Sequence, residues 1–338
     1  MKQLRWGILG TGNIARQFAA GLRTSPRHIA TAVGSRSADS ARSFASANGV
    51  ANAHGDYRSL LRDDSYDALY LSLPNSMHHE WTIAALNSGK HVLCEKPFAV
   101  TVQQADEMFA AADRAGRVLI EAFMYRAHPQ TFGAIKAIRG GEIGEVKLIR
   151  TSFCYRTSRI DGNIRFDASL AGGALMDVGC YCLSFSRAIA AEEPAEIHAF
   201  GTINDRDVDE LASVHLRFPS GIVAEFSCGM RLQADNTAWV CGTDGHLSIP
   251  VPWKPQPGKA HFIIGRGTPP KQDLAAGVPI APPRQVIEIA DNRDVFLVEA
   301  DAFADCVLDG SPPFITRDDT MGNTRALAEI RRQIGLGF

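Results

Sequence analysis

Apolar and polar positions follow two different rhythms along this chain. Up to residue 122, short apolar runs trade places with stretches of helical spacing. Leu4–Leu9, Ile29–Ser35, Ala68–Leu73, His91–Cys94 and Val118–Ala122 read as strands. Ile14–Arg23, Ser40–Asn48, His79–Ser88 and Val102–Ala115 read as helices, the last two closed by Gly89 and Gly116. Strands that alternate with helices of this length predict a parallel sheet covered on both faces.

From residue 123 the rhythm changes. A helix is expected over Gln130–Arg139. Longer β-like runs follow at Val146–Tyr155, Ala195–Ile203, Ala212–Phe218, Ile222–Cys228, Thr237–Cys241, His261–Gly265 and Gln285–Ile289. Pro219-Ser220-Gly221 and Thr243-Asp244-Gly245 are turn signals between them. One helix is expected from Met176 to Ala190, and two close the chain, Val295–Leu308 and Thr320–Ile334. Residues 250–283 hold nine of the seventeen prolines, so they are expected to form a long irregular loop with one strand inside. The fold class is therefore α/β. A doubly wound parallel sheet (a Rossmann domain) occupies residues 1–122. An α+β domain with a large, open, mostly antiparallel sheet occupies residues 123–338.

Composition narrows the partners. The 338 residues are 45% hydrophobic and 21% charged with a net charge of −2, which gives no electrostatic case for nucleic acid or a membrane surface. No apolar run reaches the length of a bilayer span. The first strand starts at Leu4, so no leader peptide is expected. Seven cysteines lack paired metal spacing, the closest pair being Cys180 and Cys182. They are expected as reduced thiols in a cytoplasmic protein without a metal.

Gly10-Thr11-Gly12-Asn13-Ile14-Ala15 follows the first strand and opens the first helix. In this G-x-G-x-x-A pattern one glycine makes the tight turn and the next lets the backbone approach a pyrophosphate. The helix N-terminus then offers free N–H groups to the phosphates. An NAD site usually places a carboxylate after the second strand to bond the ribose. Here Ser35 and Arg36 stand there, a hydroxyl and a guanidinium that suit a 2′-phosphate. NADP is expected over NAD. Leu73-Pro74-Asn75, followed by His78, is a natural wall for the nicotinamide half, and Glu95 and Lys96 close the fourth strand.

The segments GILGTGNIA, SLPNSMHHEW, HVLCEKPFA, EAFMYRAHP and GGALMDVGCYC occur in this order. Together they resemble the glucose–fructose oxidoreductase / inositol dehydrogenase family over essentially the whole chain. The resemblance implies hydride transfer between NAD(P) and a carbohydrate-like substrate, with Lys96 near the nicotinamide. It also implies a homodimer or homotetramer built through the C-terminal sheet. Tyr181 stands where many members have histidine, and Ser184 where a carboxylate often follows. The tyrosine form looks most like the branch of NADP-dependent D-xylose dehydrogenases and dimeric dihydrodiol dehydrogenases. An aldose 1-dehydrogenase is the leading expectation. A reductase of a keto-sugar or anhydro-sugar, including a nucleotide-linked one, is the alternative. A non-catalytic cofactor-sensing regulator is a further alternative, against which stand Lys96, Asp177 and Tyr181.

Oxidising an alcohol needs a proton acceptor as well as a hydride acceptor. The ordinary phenol pKa is about 10, and a nearby ammonium group lowers it. Tyr181 and Lys96 are therefore expected to act as a pair, with Lys96 as the base being the other division of labour. Asp177, four residues before Tyr181, shares its helical face and is expected to orient a substrate hydroxyl. Glu95 is expected to position Lys96 or bond the ribose. Met124, Tyr155 and Arg165 are expected to bind substrate together with Lys96, Asp177 and Tyr181. Tyr125, Arg126, Phe153, Arg156 and Asn163 are available on the same segments.

Overall fold

The computed structural model describes residues 2–266 and 283–337. The first unit runs β1 (Leu4–Leu9), α1 (Asn13–Leu22), β2 (His28–Gly34), α2 (Ala38–Asn48), β3 (Asn52–His54), α3 (Tyr57–Leu61), β4 (Ala68–Leu71), α4 (His78–Asn87), β5 (His91–Glu95), α5 (Val102–Ala115) and β6 (Leu119–Ala122). Its six strands lie in the order β3-β2-β1-β4-β5-β6, all parallel. This is the doubly wound order, in which the crevice opens at the C-terminal ends of β1 and β4. Strand β4 is buried along its whole length, as a strand covered on both faces should be. Local signals start and stop the helices. Ser37 and Thr101 accept N–H bonds from Ser40 and Gln104, and α5 begins and ends where its periodicity predicts. The pair β3 and α3 is too short to show a period, and the apolar pattern does not predict it; Asp56 caps α3 by accepting the Ser59 N–H.

Next come α6 (Met124–Ala127), α7 (Pro129–Arg139) and β7 (Val146–Cys154). A wide π turn (Leu175–Gly179) leads into α8 (Cys180–Ala190). Strands β8 (Glu196–Ile203), β9 (Asp209–Arg217), β10 (Val223–Gly229), β11 (Ala238–Gly242), β12 (Gly245–Ile249), β13 (His261–Arg266) and β14 (Arg284–Glu288) follow, then α9 (Val295–Asp309) and α10 (Arg317–Gln333). The eight strands of this sheet are ordered β14-β13-β12-β11-β7-β10-β9-β8, and only the β7–β10 pair is parallel. The expected single helix from Met176 is therefore two pieces, and β12 is an additional strand. Of the proline-rich loop, residues 267–282 lie outside the described residues, and the strand expected inside the loop is β13. The stretch Ala168–Ala190 is long and apolar enough to cross a membrane, but 78% of its apolar window is buried inside the molecule.

Register gives the larger sheet two unlike faces. Val214, Phe226, Thr151 and Ala238 lie side by side on the buried face. The neighbouring row, His215, Glu225, Arg150 and Trp239, points away. The end of the chain returns to the first unit. Phe303 on α9 packs 5.3 Å from Trp6 of β1, and Phe18 of α1 stacks at 3.8 Å on Tyr70 of β4. One continuous core thus joins β1, α1 and α9.

Candidate active site

Gly10 leaves β1 at φ +107°, and a Cβ there would lie 2.8 Å from the Ser72 carbonyl oxygen, so the turn requires glycine. At Gly12 a Cβ would meet nothing within 4 Å. That open space sits at the N-terminus of α1, where a pyrophosphate needs to approach. Ser35 is buried at the end of β2, its hydroxyl 3.4 Å from that of Thr11. Arg36 beside it is exposed. These residues fit a nicotinamide dinucleotide.

The cleft beyond has a volume of about 470 Å³. Its cofactor side is lined by Gly12, Asn13, Ile14, Leu73, Asn75, Glu95 and Lys96, and its far side by Tyr155, Arg165, Asp177 and Tyr181. Asn75 also ties the two sides together, donating to the Ala171 carbonyl at 2.8 Å. Pro74 starts the short 3₁₀ turn that carries Asn75.

Strand β5 delivers Glu95 and Lys96 to this cleft, and the Lys96–Pro97 peptide is cis. Glu95 is held from two directions: Tyr70 donates its hydroxyl to Oε1, and the Lys96 backbone N–H donates to Oε2 at 3.2 Å. Burial raises its pKa above the ordinary carboxyl value. The Lys96 ammonium donates to the Asp177 main-chain carbonyl at 2.6 Å and lies 3.4 Å from Oδ1. Asp177 Oδ2 accepts from the Tyr155 hydroxyl and from Arg165 Nε, each at 2.7 Å. Burial alone would raise Asp177, but Lys96 and Arg165 outweigh it and hold the carboxyl below its ordinary value. Burial likewise works against the Lys96 charge, and Asp177 overcomes it, so Lys96 sits above its ordinary pKa.

Tyr181 differs from expectation. Its hydroxyl points at Met124 Sδ, 3.4 Å away, and Lys96 Nζ stands 5.0 Å from the centre of its ring instead of at the phenolic oxygen. Burial, and after it the charge of Glu95, pushes the phenol well above its ordinary value. The expected lowering by Lys96 does not emerge, because the ring is enclosed by Phe123, Phe153, Tyr125 and Trp253.

Several predicted residues do not reach the cleft. His78 is fully buried, its ring nitrogens each 2.9 Å from the carbonyl oxygens of Leu73 and Pro97, so it braces two cleft loops from below. Met124 backs the Tyr181 hydroxyl. Tyr125 and Arg126 bond to Ser184, and Arg126 pairs with Asp319 at 2.6 Å, beneath the site. Arg156 is exposed and bridges to Arg231. Phe153 and Asn163 do line the cleft. Sequence reasoning missed Gln17 and Ser72, although each had a signal: Gln17 lies one turn past Asn13 on α1, and Ser72 follows the C-terminal end of β4. Trp253 reaches the aromatic cage from a distant loop and had none.

Residues 4–123 match an oxidoreductase family with an NAD-binding Rossmann fold, and residues 133–248 match the GFO/IDH/MocA C-terminal domain. The NADP-dependent D-xylose 1-dehydrogenase 2 of Haloferax volcanii is 33% identical over 97% of this chain and 96% of its own length. The trans-1,2-dihydrobenzene-1,2-diol dehydrogenase of Sus scrofa is 30% identical over 99% and 98%. Among solved structures, the 3-ketoreductase KijD10 of Actinomadura kijaniata, in complex with NADP and TDP-benzene, superposes with a TM-score of 0.87. It is 29% identical, and the match covers 98% of each chain. The Rossmann sheet, the lysine it delivers to the cleft and these matches along the whole chain lead to one conclusion: the protein belongs to the GFO/IDH/MocA family of oxidoreductases.

Proposed function

We propose that this oxidoreductase uses NADP(H) to move a hydride to or from a free aldose or a closely similar sugar, in the manner of a D-xylose-type 1-dehydrogenase. The observation that carries the reading is the chain of contacts from β5 across the cleft: Lys96 to Asp177, and Asp177 to Tyr155 and Arg165. A polyol meets fixed donors and an anion on one side and the Phe153 and Tyr181 rings on the other. The bound dinucleotide supplies or accepts the hydride. Lys96 and Tyr181 hold the proton at the substrate oxygen, with Asp177 keeping Lys96 in place and charged. Ser35 and Arg36, without a carboxylate at that position, support NADP. The relatives that use NADP support it too.

One observation favours carbonyl reduction as the second reading. Tyr181 and Lys96 both sit above their ordinary pKa values, so both carry a proton at neutral pH. That is the state required to protonate an oxygen as its carbon receives hydride. The two readings are separated by following nicotinamide absorbance in both directions with pentoses, hexoses, aryl dihydrodiols and keto-sugars. Turnover on none of them would overturn the proposed function, and equal turnover with NAD and NADP would remove the cofactor preference. We also propose self-association through the outward face of the larger sheet.

A further inference from the structure

Trp253 and Lys254 are adjacent on the segment between β12 and β13, and they serve opposite sides. Trp253 is only 3% exposed. Its indole N–H donates to the Ser152 carbonyl at 2.8 Å, and its ring stacks on Phe153 at 5.7 Å and meets Tyr181 at 6.1 Å. The segment is therefore fixed against the wall of the cleft. Lys254 is exposed and crosses to the N-terminal unit. Its ammonium donates to Gln17 Oε1 on α1 and lies 5.4 Å from the centre of the Phe296 ring. Among the described residues no carboxylate pairs with it.

Gln17 lines the same cleft as Gly12 and Asn13 and reaches back to the Asn13 carbonyl at 3.5 Å. Four residues of helix separate it from Asn13, a rise of about 6 Å, which a lysine side chain spans by changing rotamer. A neutral amide oxygen is a weaker partner for an ammonium than a phosphate oxygen, with which donor and acceptor are both charged. The open space at Gly12 would admit such an oxygen at the start of α1.

We propose that Lys254 is a clamp on the cofactor's pyrophosphate, supplied by the C-terminal domain across the cleft. The clamp rests on the reading that a nicotinamide dinucleotide fills this crevice. It gives the C-terminal domain a direct hold on the cofactor, at the end away from the reacting carbon.

The test is calorimetric titration of NADP and NAD into the full chain and its Lys254→Met, Lys254→Arg, Gln17→Leu and Arg36→Gln variants. Lys254→Met should raise Kd for both nucleotides by the same factor, about tenfold for one charge-assisted bond. Lys254→Arg should recover most of the affinity. Arg36→Gln should weaken NADP alone, because it acts on the 2′-phosphate. A loss under twofold for Lys254→Met would overturn the clamp, as would a loss confined to NADP. An equal loss in Gln17→Leu would overturn it too, by showing that only the contact between domains matters. No binding of either nucleotide by the parent protein would overturn the dinucleotide reading itself, a result distinct from the other three.

Discussion

Lys96 and Asp177 meet across the boundary of the two units, with the ammonium 2.6 Å from the main-chain carbonyl and 3.4 Å from the carboxylate of the same residue. The pairing holds the lysine charged and the carboxylate ionised. Asp177→Asn should therefore move the alkaline limb of the kcat/KM profile to lower pH, because the charge that sustains the ammonium is gone. It should also raise the substrate KM, since Tyr155 and Arg165 exchange a shared anionic acceptor for a neutral amide. An unshifted alkaline limb would separate that limb from Lys96.

Lys96→Met removes the ammonium group that follows β5 into the cleft and is proposed to face the substrate oxygen. Steady-state assays should show kcat lower by about 10²- to 10⁴-fold, the range for an acid–base group. Retention of most activity would assign the proton to Tyr181 alone.

Tyr181→Phe leaves the aromatic cage filled and deletes only the hydroxyl that points at Met124. A loss in kcat of about 10²-fold or more, with substrate KM nearly unchanged, is expected if the phenol carries the proton. Near-parental kcat in both directions would make the tyrosine a packing residue.

Glu121 lies under the site, its Oε1 accepting the Phe98 N–H at 3.0 Å, and burial pushes its pKa up to about 8. The value in the unfolded chain is about 4.3. Its contribution to stability is full below the unfolded value and is lost as pH rises through the folded one, because the unfolded chain ionises first. Glu121→Gln cannot ionise. Urea denaturation should therefore show the variant gaining on the parent between pH 5 and pH 8, with no further gain above that.

At Gly173 φ is +111°, and a Cβ would lie 2.0 Å from Asp209 Oδ1. The other oxygen of Asp209 accepts the Leu175 N–H at 2.6 Å, at the start of the π turn. Gly173→Ala should cost about 1–3 kcal/mol in chemical denaturation and lower activity as well, because it displaces the segment that carries Asp177.

Trp239 stands in the outward row of the larger sheet beside Arg150. If that face joins copies of the chain, Trp239→Glu should shift light-scattering mass toward the monomer and leave the circular dichroism of the fold intact. An unchanged mass would move the interface elsewhere.

The first unit was legible because its signals are local. The Val102–Ala115 helix has a Thr101 cap and a Gly116 stop, and its observed ends coincide with them. Lys96, Asp177, Tyr155 and Arg165 were also legible, and the structure gathers them around one carboxylate. What escaped depends on distant contacts. The Tyr181 environment is set by Trp253 and by Glu299 on α9, neither of which local spacing connects to it. His78 looked like a cofactor contact at a helix start. Its burial follows from the carbonyls of Leu73 and Pro97, which only the folded chain brings together. The π turn was illegible for another reason: its composition is that of an ordinary helix.

That turn carries a consequence for how the protein can change. Lys96 is anchored chiefly to a backbone oxygen of Leu175–Gly179, an atom that every amino acid possesses. A substitution at residue 177 would thus leave this backbone contact in place while removing the carboxylate charge that sustains the ammonium. The place of the ammonium and its charge are set by two different parts of one residue, and only the first belongs to the main chain.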